Sequence, residues 1–175
     1  MMLYNVAQLL KDPIGSTRSY KVEETFASAE GFADNVHGFL RLMRTHQGLL
    51  ATAELKVKVT LDCGRCLSTF PLLLTLGIEE EFFPLVDVNT GHQLPIPSGA
   101  EGTRIGPDHV LDFTDVLRQC VITQVPMKPL CHTDCSGLCQ QCGANLNQRD
   151  CQCGRANLDP RWKALADLLQ QRQSK

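Results

Sequence analysis

The sequence predicts an α+β protein: an antiparallel β-meander, able to curl toward a barrel, with covering helices and a C-terminal cysteine-rich segment. Three observations carry this. Residues 49–61 alternate strictly between apolar and polar side chains, the period of a strand with one buried face. Residues 112–125 place their apolar side chains at helical spacing. Six cysteines crowd into residues 131–153, where little apolar sequence is available to build a core.

Taken in order, Leu3, Val6, Ala7 and Leu10 have helical spacing and predict a short amphipathic helix, stopped by Pro13 and Gly15. Tyr20 to Glu23 reads as a strand. In the central strand Ala51, Ala53, Leu55, Val57, Val59 and Leu61 share one face, and Thr52, Glu54, Lys56, Lys58 and Thr60 share the other. Residues 36–46 supply its partner through a turn at Gln47–Gly48. Phe70, Leu72, Leu74, Leu76 and Ile78 alternate again, and Pro71 places that run at an edge or a late strand start, because proline cannot donate to a ladder. A sheet with one apolar face needs a covering layer.

Residues 84–110 are rich in Gly and Pro and read as a long connection in which His92 and His109 stand alone. A helix follows. Asp112 caps it, Phe113, Val116, Leu117, Cys120 and Val121 share a face, and Val125–Pro126 ends it. Cys120 is read as a small core residue. A last helix begins at Asp159 and Pro160, with Trp162, Leu165, Ala166 and Leu169 as its apolar stripe. This organises the chain as an α+β core over residues 1–127. Residues 128–175 are then a cysteine-rich segment with its helix, packed on that core.

Length and composition suit one cored domain: 175 residues, 43% hydrophobic, with a net charge of −2. The halves differ in sign. Residues 1–127 carry a balance of −5 and residues 128–175 a balance of +3. No apolar run approaches the roughly 18 residues needed to span a membrane. The start lacks the basic flank and apolar stretch of a signal peptide. We therefore expect a cytoplasmic protein with no membrane partner. Nine cysteines in such a protein point to metal rather than disulfides.

The cysteines in question are Cys131, Cys135, Cys139, Cys142, Cys151 and Cys153. Cys139-Gln-Gln-Cys142-Gly143 has the form of a zinc knuckle: two thiolates from one tight turn, with glycine supplying the backbone freedom. The other two ligands of a tetrahedral site could be Cys151 and Cys153, Cys131 and Cys135, or one from each pair. Soft thiolates in tetrahedral array favour zinc, with an iron–sulfur cluster as the competing group. We expect one structural zinc, its binding supplying the folding energy of the segment. Cys63-Gly-Arg-Cys66 sits at a hairpin tip and is a lesser candidate for a second site. As a redox dithiol it lacks the helix N-terminus that lowers a thiol pKa.

Together these residues resemble the YceD family of large-subunit ribosomal RNA accumulation proteins. The resemblance rests on Val6 to Lys11 with Pro13 to Arg18, and on Cys63-Gly64-Arg65-Cys66-Leu67. It extends over the stretch from Asp112 to Pro126-Met127-Lys128-Pro129-Leu130-Cys131. Gly137-Leu138-Cys139, Cys142 to Asn147 and Asp159-Pro160-Arg161-Trp162 complete it. It implies a factor in ribosome biogenesis, not an enzyme, whose partners are large-subunit ribosomal RNA, a pre-ribosomal particle or a ribosomal protein.

Under that expectation the candidate RNA-binding residues are Arg65, Arg149, Arg155, Arg161 and Lys163, which could meet phosphates. Asn145, Asn147 and Gln148 could add polar contacts. The sequence offers no aromatic stacking platform. The alternative is a protein–protein adaptor using the acidic N-terminal part, with Glu79-Glu80-Glu81 facing a basic partner. A thiol redox protein or a zinc hydrolase is the remote alternative, since no nucleophile–base pair or phosphate loop is present.

Overall fold

The structure, a computed structural model, describes residues 2–25, 33–95, 103–151, 153 and 160–162. It divides into two compact units. One comprises Met1–Asp62 with Thr69–Pro129, the other Cys63–Ser68 with Leu130–Lys175.

The first unit is built on a five-stranded sheet in the order β2-β3-β4-β5-β6, namely Thr17–Thr25, Ala33–Arg44, Leu49–Asp62, Thr69–Pro84 and Arg104–Ile105. β3, β4 and β5 form the three-stranded antiparallel meander that the sequence predicts, and β2 extends it by a fourth strand. In β4 the residues Ala51 to Leu61 of the apolar set are all buried, while Thr52, Glu54, Lys56 and Lys58 face solvent. The chain enters the sheet earlier than expected: β2 runs nine residues, and β5 continues through the glutamate run to Pro84. Pro71 pairs with Thr60 on one side of β5, and its other side carries β6 only at Phe83 and Pro84. The missing N–H therefore costs no ladder bond. Gly38 has φ +155°, and a Cβ there would stand 2.0 Å from the Glu54 carbonyl oxygen, so no larger residue fits against β4.

Two expectations are corrected here. The sheet stays open, with β2 and β6 as its edges, and does not close into a barrel. The connection 84–110 is not featureless. It adds β6, parallel to β5, and ends on the first residue of β7 (Val110–Asp112). β7 pairs antiparallel with β1 (Leu3–Asn5), so Leu3 belongs to a strand and the first helix, α1, spans only Ala7–Lys11. Elements of two or three residues carry no periodicity, which is why pattern reading passes over them.

The buried sheet face is covered as a one-sided sheet requires. Leu9 and Leu10 of α1, Leu111 of β7, and Val116, Leu117 and Val121 of the second helix, α2 (Thr114–Gln124), join the strand residues in one apolar cluster. Phe113 and Phe82 meet within it at 6.2 Å between ring centroids. Cys120 packs against the cluster's margin, as expected of a small core residue. Asp112 accepts the Thr114 N–H at 2.8 Å, so it satisfies an orphan donor of the helix start. Among the described residues no helix is long and apolar enough to cross a membrane. The expected C-terminal helix lies outside the described residues, apart from a 3-10 turn at Pro160–Trp162.

Candidate metal centres

The second unit gathers eight thiols into two sets of four. Cys63, Cys66, Cys131 and Cys135 form the first; Cys139, Cys142, Cys151 and Cys153 form the second. Within each set the sulfurs lie within 4.8 Å of one another. In the first, Cys63 and Cys135 are 3.8 Å apart and Cys66 and Cys131 are 3.6 Å apart. A metal bound tetrahedrally at about 2.3 Å from sulfur places its ligands about 3.8 Å apart. The donor set and its spacing fit a thiophilic ion, and all eight cysteines are free of disulfides.

Spacing preferred one site within the tail, with Cys63 and Cys66 subordinate. The structure divides the six tail cysteines instead. Cys131 and Cys135 join the hairpin-tip pair, and the remaining four stand together. Chain separations of 65 and 72 residues link the two halves of the first set, beyond the reach of any local spacing rule.

Each set is organised by the same turn. The Cys63 N–H donates to the Ser68 carbonyl at 3.0 Å, and the Leu67 N–H donates back to the Cys63 carbonyl at 3.0 Å. In the second, the Cys139 N–H donates to the Ala144 carbonyl at 2.8 Å and the Gly143 N–H to the Cys139 carbonyl at 2.9 Å. The residue after the second cysteine is left-handed in both: Leu67 at φ 58° and Gly143 at φ 69°. Glycine meets this demand freely, whereas leucine meets it under strain. The pair Cys63–Cys66 is thus a knuckle of the same construction as Cys139–Cys142, which its sequence, lacking the glycine, obscured.

The turn also aims N–H groups at sulfur. The Cys66 N–H, with those of Cys131 and Arg65, holds the Cys63 thiol down to about 6. The Ser68 hydroxyl and N–H lower Cys66. In the second set the N–H groups of Cys142 and Gln141 hold Cys139 down to about 6. Their partners move oppositely. Burial and the neighbouring sulfurs push Cys131 up to about 12, and the Cys142 sulfur together with burial does the same to Cys153. Each set therefore readies a thiolate beside thiols whose ionisation is opposed by crowded negative charge. A divalent cation at the centre would relieve that repulsion.

The sets differ in their surroundings. Cys63, Cys66 and Cys135 are buried and Cys131 half-buried; Cys142 is exposed and the other three half-buried. The first set has further polar support. Arg65 donates to the Cys135 carbonyl at 2.9 Å, and the His132 Nδ1 lies 3.1 Å from the Cys131 sulfur. The Asn147 amide donates to the Cys135 sulfur at 3.3 Å and to Asn145 Oδ1 at 2.9 Å, and its Oδ1 accepts the Ser136 N–H at 2.7 Å. Asn145 in turn donates to the Ser68 hydroxyl at 3.1 Å.

These contacts give three of the candidate RNA-contact residues a place inside the unit. Arg65, Asn145 and Asn147 hold the first set of thiols together. Arg149 is exposed, with no partner for its guanidinium among the described residues, and Arg161 is exposed on the 3-10 turn. Arg155 and Lys163 lie outside the described residues. His92 and His109 belong to neither group of candidate ligands.

Comparison with known proteins bears on the whole chain. A curated relative from Arabidopsis thaliana, the chloroplastic homolog 1 of Large ribosomal RNA subunit accumulation protein YCED, is 37% identical over 157 residues, covering 77% of this chain and 48% of its own length. Uncharacterized proteins of Mycobacterium tuberculosis and Mycobacterium leprae are 28% and 27% identical, each over 74% of this chain. The chain spans between about half and three-fifths of the length of these curated relatives. No solved structure matches. The family model described as Large ribosomal RNA subunit accumulation protein YceD matches residues 51–169, a stretch that takes in both knuckles and all eight clustered cysteines, and the chain belongs to that family.

Proposed function

We propose that this chain is a zinc protein, with one ion in each four-thiol set, that supports accumulation of large-subunit ribosomal RNA by binding RNA or a pre-ribosomal particle. The observation that carries the zinc reading is the doubling of one knuckle geometry, each completed by two further sulfurs that lie within 4.8 Å of its own. Zinc suits four thiolates, and four protein ligands leave no position for water or substrate. The centres are therefore structural, and the protein acts as a non-enzymatic ribosome-biogenesis factor in the cytoplasm. The family's description and the name of the Arabidopsis thaliana relative support the ribosomal role.

For the contact itself, the exposed cations Arg149 and Arg161 of the metal-bearing unit are the described candidates, with Arg155 and Lys163 beside them in sequence. The test is co-sedimentation of the tagged protein with large-subunit precursors, followed by crosslinking and sequencing of bound RNA. Crosslinks concentrated on large-subunit RNA are expected, with affinity falling steeply as salt rises. Charge reversal at Arg149, Arg155 and Arg161 should abolish RNA binding; unchanged affinity would sink the assignment.

One observation favours the adaptor as a second reading. Phe39 and Leu73 are each 64% exposed on the solvent face of the sheet, among side chains of both signs such as Lys21 and Glu54. Separate exposed apolar side chains on a face of mixed charge suit a protein partner better than a polyanion. Co-sedimentation that persists without RNA crosslinks, and is lost when ribosomal proteins are stripped, would favour it.

A further inference from the structure

We propose that Asn147 is a positioning residue that couples the two centres, so that the chain takes up its two ions together; this rests on the reading that both sets hold metal. The side chains that brace the first set emerge from the turn of the second. The Cys139 N–H bond to Ala144 fixes that turn, and Leu138 and Asn145 face each other in an antiparallel bridge just beyond it. The Leu146 N–H then donates to Gly137 at 2.9 Å. From this backbone Asn145 reaches Ser68 of the first knuckle, and Asn147 reaches the sulfur of Cys135 and the N–H of Ser136.

The sequence provides few apolar residues to hold the turn otherwise. Metal at the second set supplies the energy that folds Cys139–Asn147. Once folded, the turn presents a ready donor to Cys135. An outer-sphere donor of this kind is worth roughly 10–100-fold in metal affinity. Linkage is reciprocal: if the second ion tightens the first, the first tightens the second by the same factor. Asn147 is itself exposed, so replacing it removes a donor without opening a cavity.

The experiment is a cobalt(II) titration of the reduced full chain, read by the thiolate-to-cobalt charge-transfer and ligand-field bands. The intact chain should bind two equivalents in one cooperative step. Asn147→Ala should split that step, weakening the first centre roughly 10–100-fold. Asn147→Asp, which keeps the acceptor for Ser136 but loses the donor to sulfur, should do the same. In a Cys142→Ser/Cys153→Ser background only the first centre reports, and it should show the weakened affinity with Asn147 intact. In a Cys66→Ser/Cys135→Ser background the second centre should be indifferent to Asn147→Ala. Two equivalents binding independently to the intact chain would overturn the coupling and leave the metal reading standing. So would a first centre of full affinity when the second is disabled. Absence of thiolate-to-cobalt bands would overturn both.

Discussion

The two units of this chain are held together by different physics. The sheet unit buries a continuous cluster of apolar side chains, from Met2 through the strands to Val121. In the cysteine-rich unit the buried apolar side chains among the described residues are Ala144 and three cysteines. The first folds by removing apolar surface from water, which is non-directional and tolerates local repacking. The second has almost no such surface to remove. It depends on eight sulfurs arriving at defined positions, with backbone and carboxamide donors to hold them there. A sheet can therefore lose one contact gradually, whereas a thiolate centre fails when one ligand goes.

The largest effect should come from removing metal. Structural zinc supplies about 10–16 kcal/mol of binding free energy, which is folding energy for a unit without a core. A strong chelator should collapse the amide NMR dispersion of residues such as Gly137 and Gly143 while strand signals of β4 persist. Concurrent loss of β4 would show that the units are energetically one, and would end the contrast drawn above. A smaller effect is expected in the opposite unit. Leu55→Ala, at a fully buried position of β4, should destabilise the sheet by about 2–5 kcal/mol in denaturant titration, with zinc stoichiometry unchanged. The smallest concerns the knuckles. Leu67 is left-handed yet 67% exposed, so Leu67→Gly should relieve strain at little packing cost and stabilise the first centre by about 1 kcal/mol. Gly143→Ala should cost the second centre a similar amount. Competition with a zinc indicator would read both.

What the sequence revealed follows the same division. Alternation in β4 and its neighbours was legible because burial on one face imposes period two on long strands. The Cys139–Cys142 knuckle was legible because its glycine advertises the turn. The partners of each knuckle were not, because residues 63–66 and 131–135 meet through the path of the chain rather than through spacing. Asn145 and Asn147 looked like surface residues available to RNA, since a carboxamide in a polar loop reads alike whether it faces solvent or a thiolate. The contact of Arg65 was hidden for the same reason: at a hairpin tip nothing in the sequence marks it as the donor to the Cys135 carbonyl.

The separation of 65 residues between Cys66 and Cys131 also has a meaning in time. During synthesis at about 5–20 residues per second, the first knuckle is made roughly 3–13 s before its partners. Through that interval Cys63 and Cys66 can offer an ion only half a coordination shell, and their sulfurs stand open to oxidants and to competing soft metals. The second set, contained within 15 residues, is complete in about 1–3 s of further growth. The centre buried most deeply in the finished molecule is the one left unfinished longest on the ribosome.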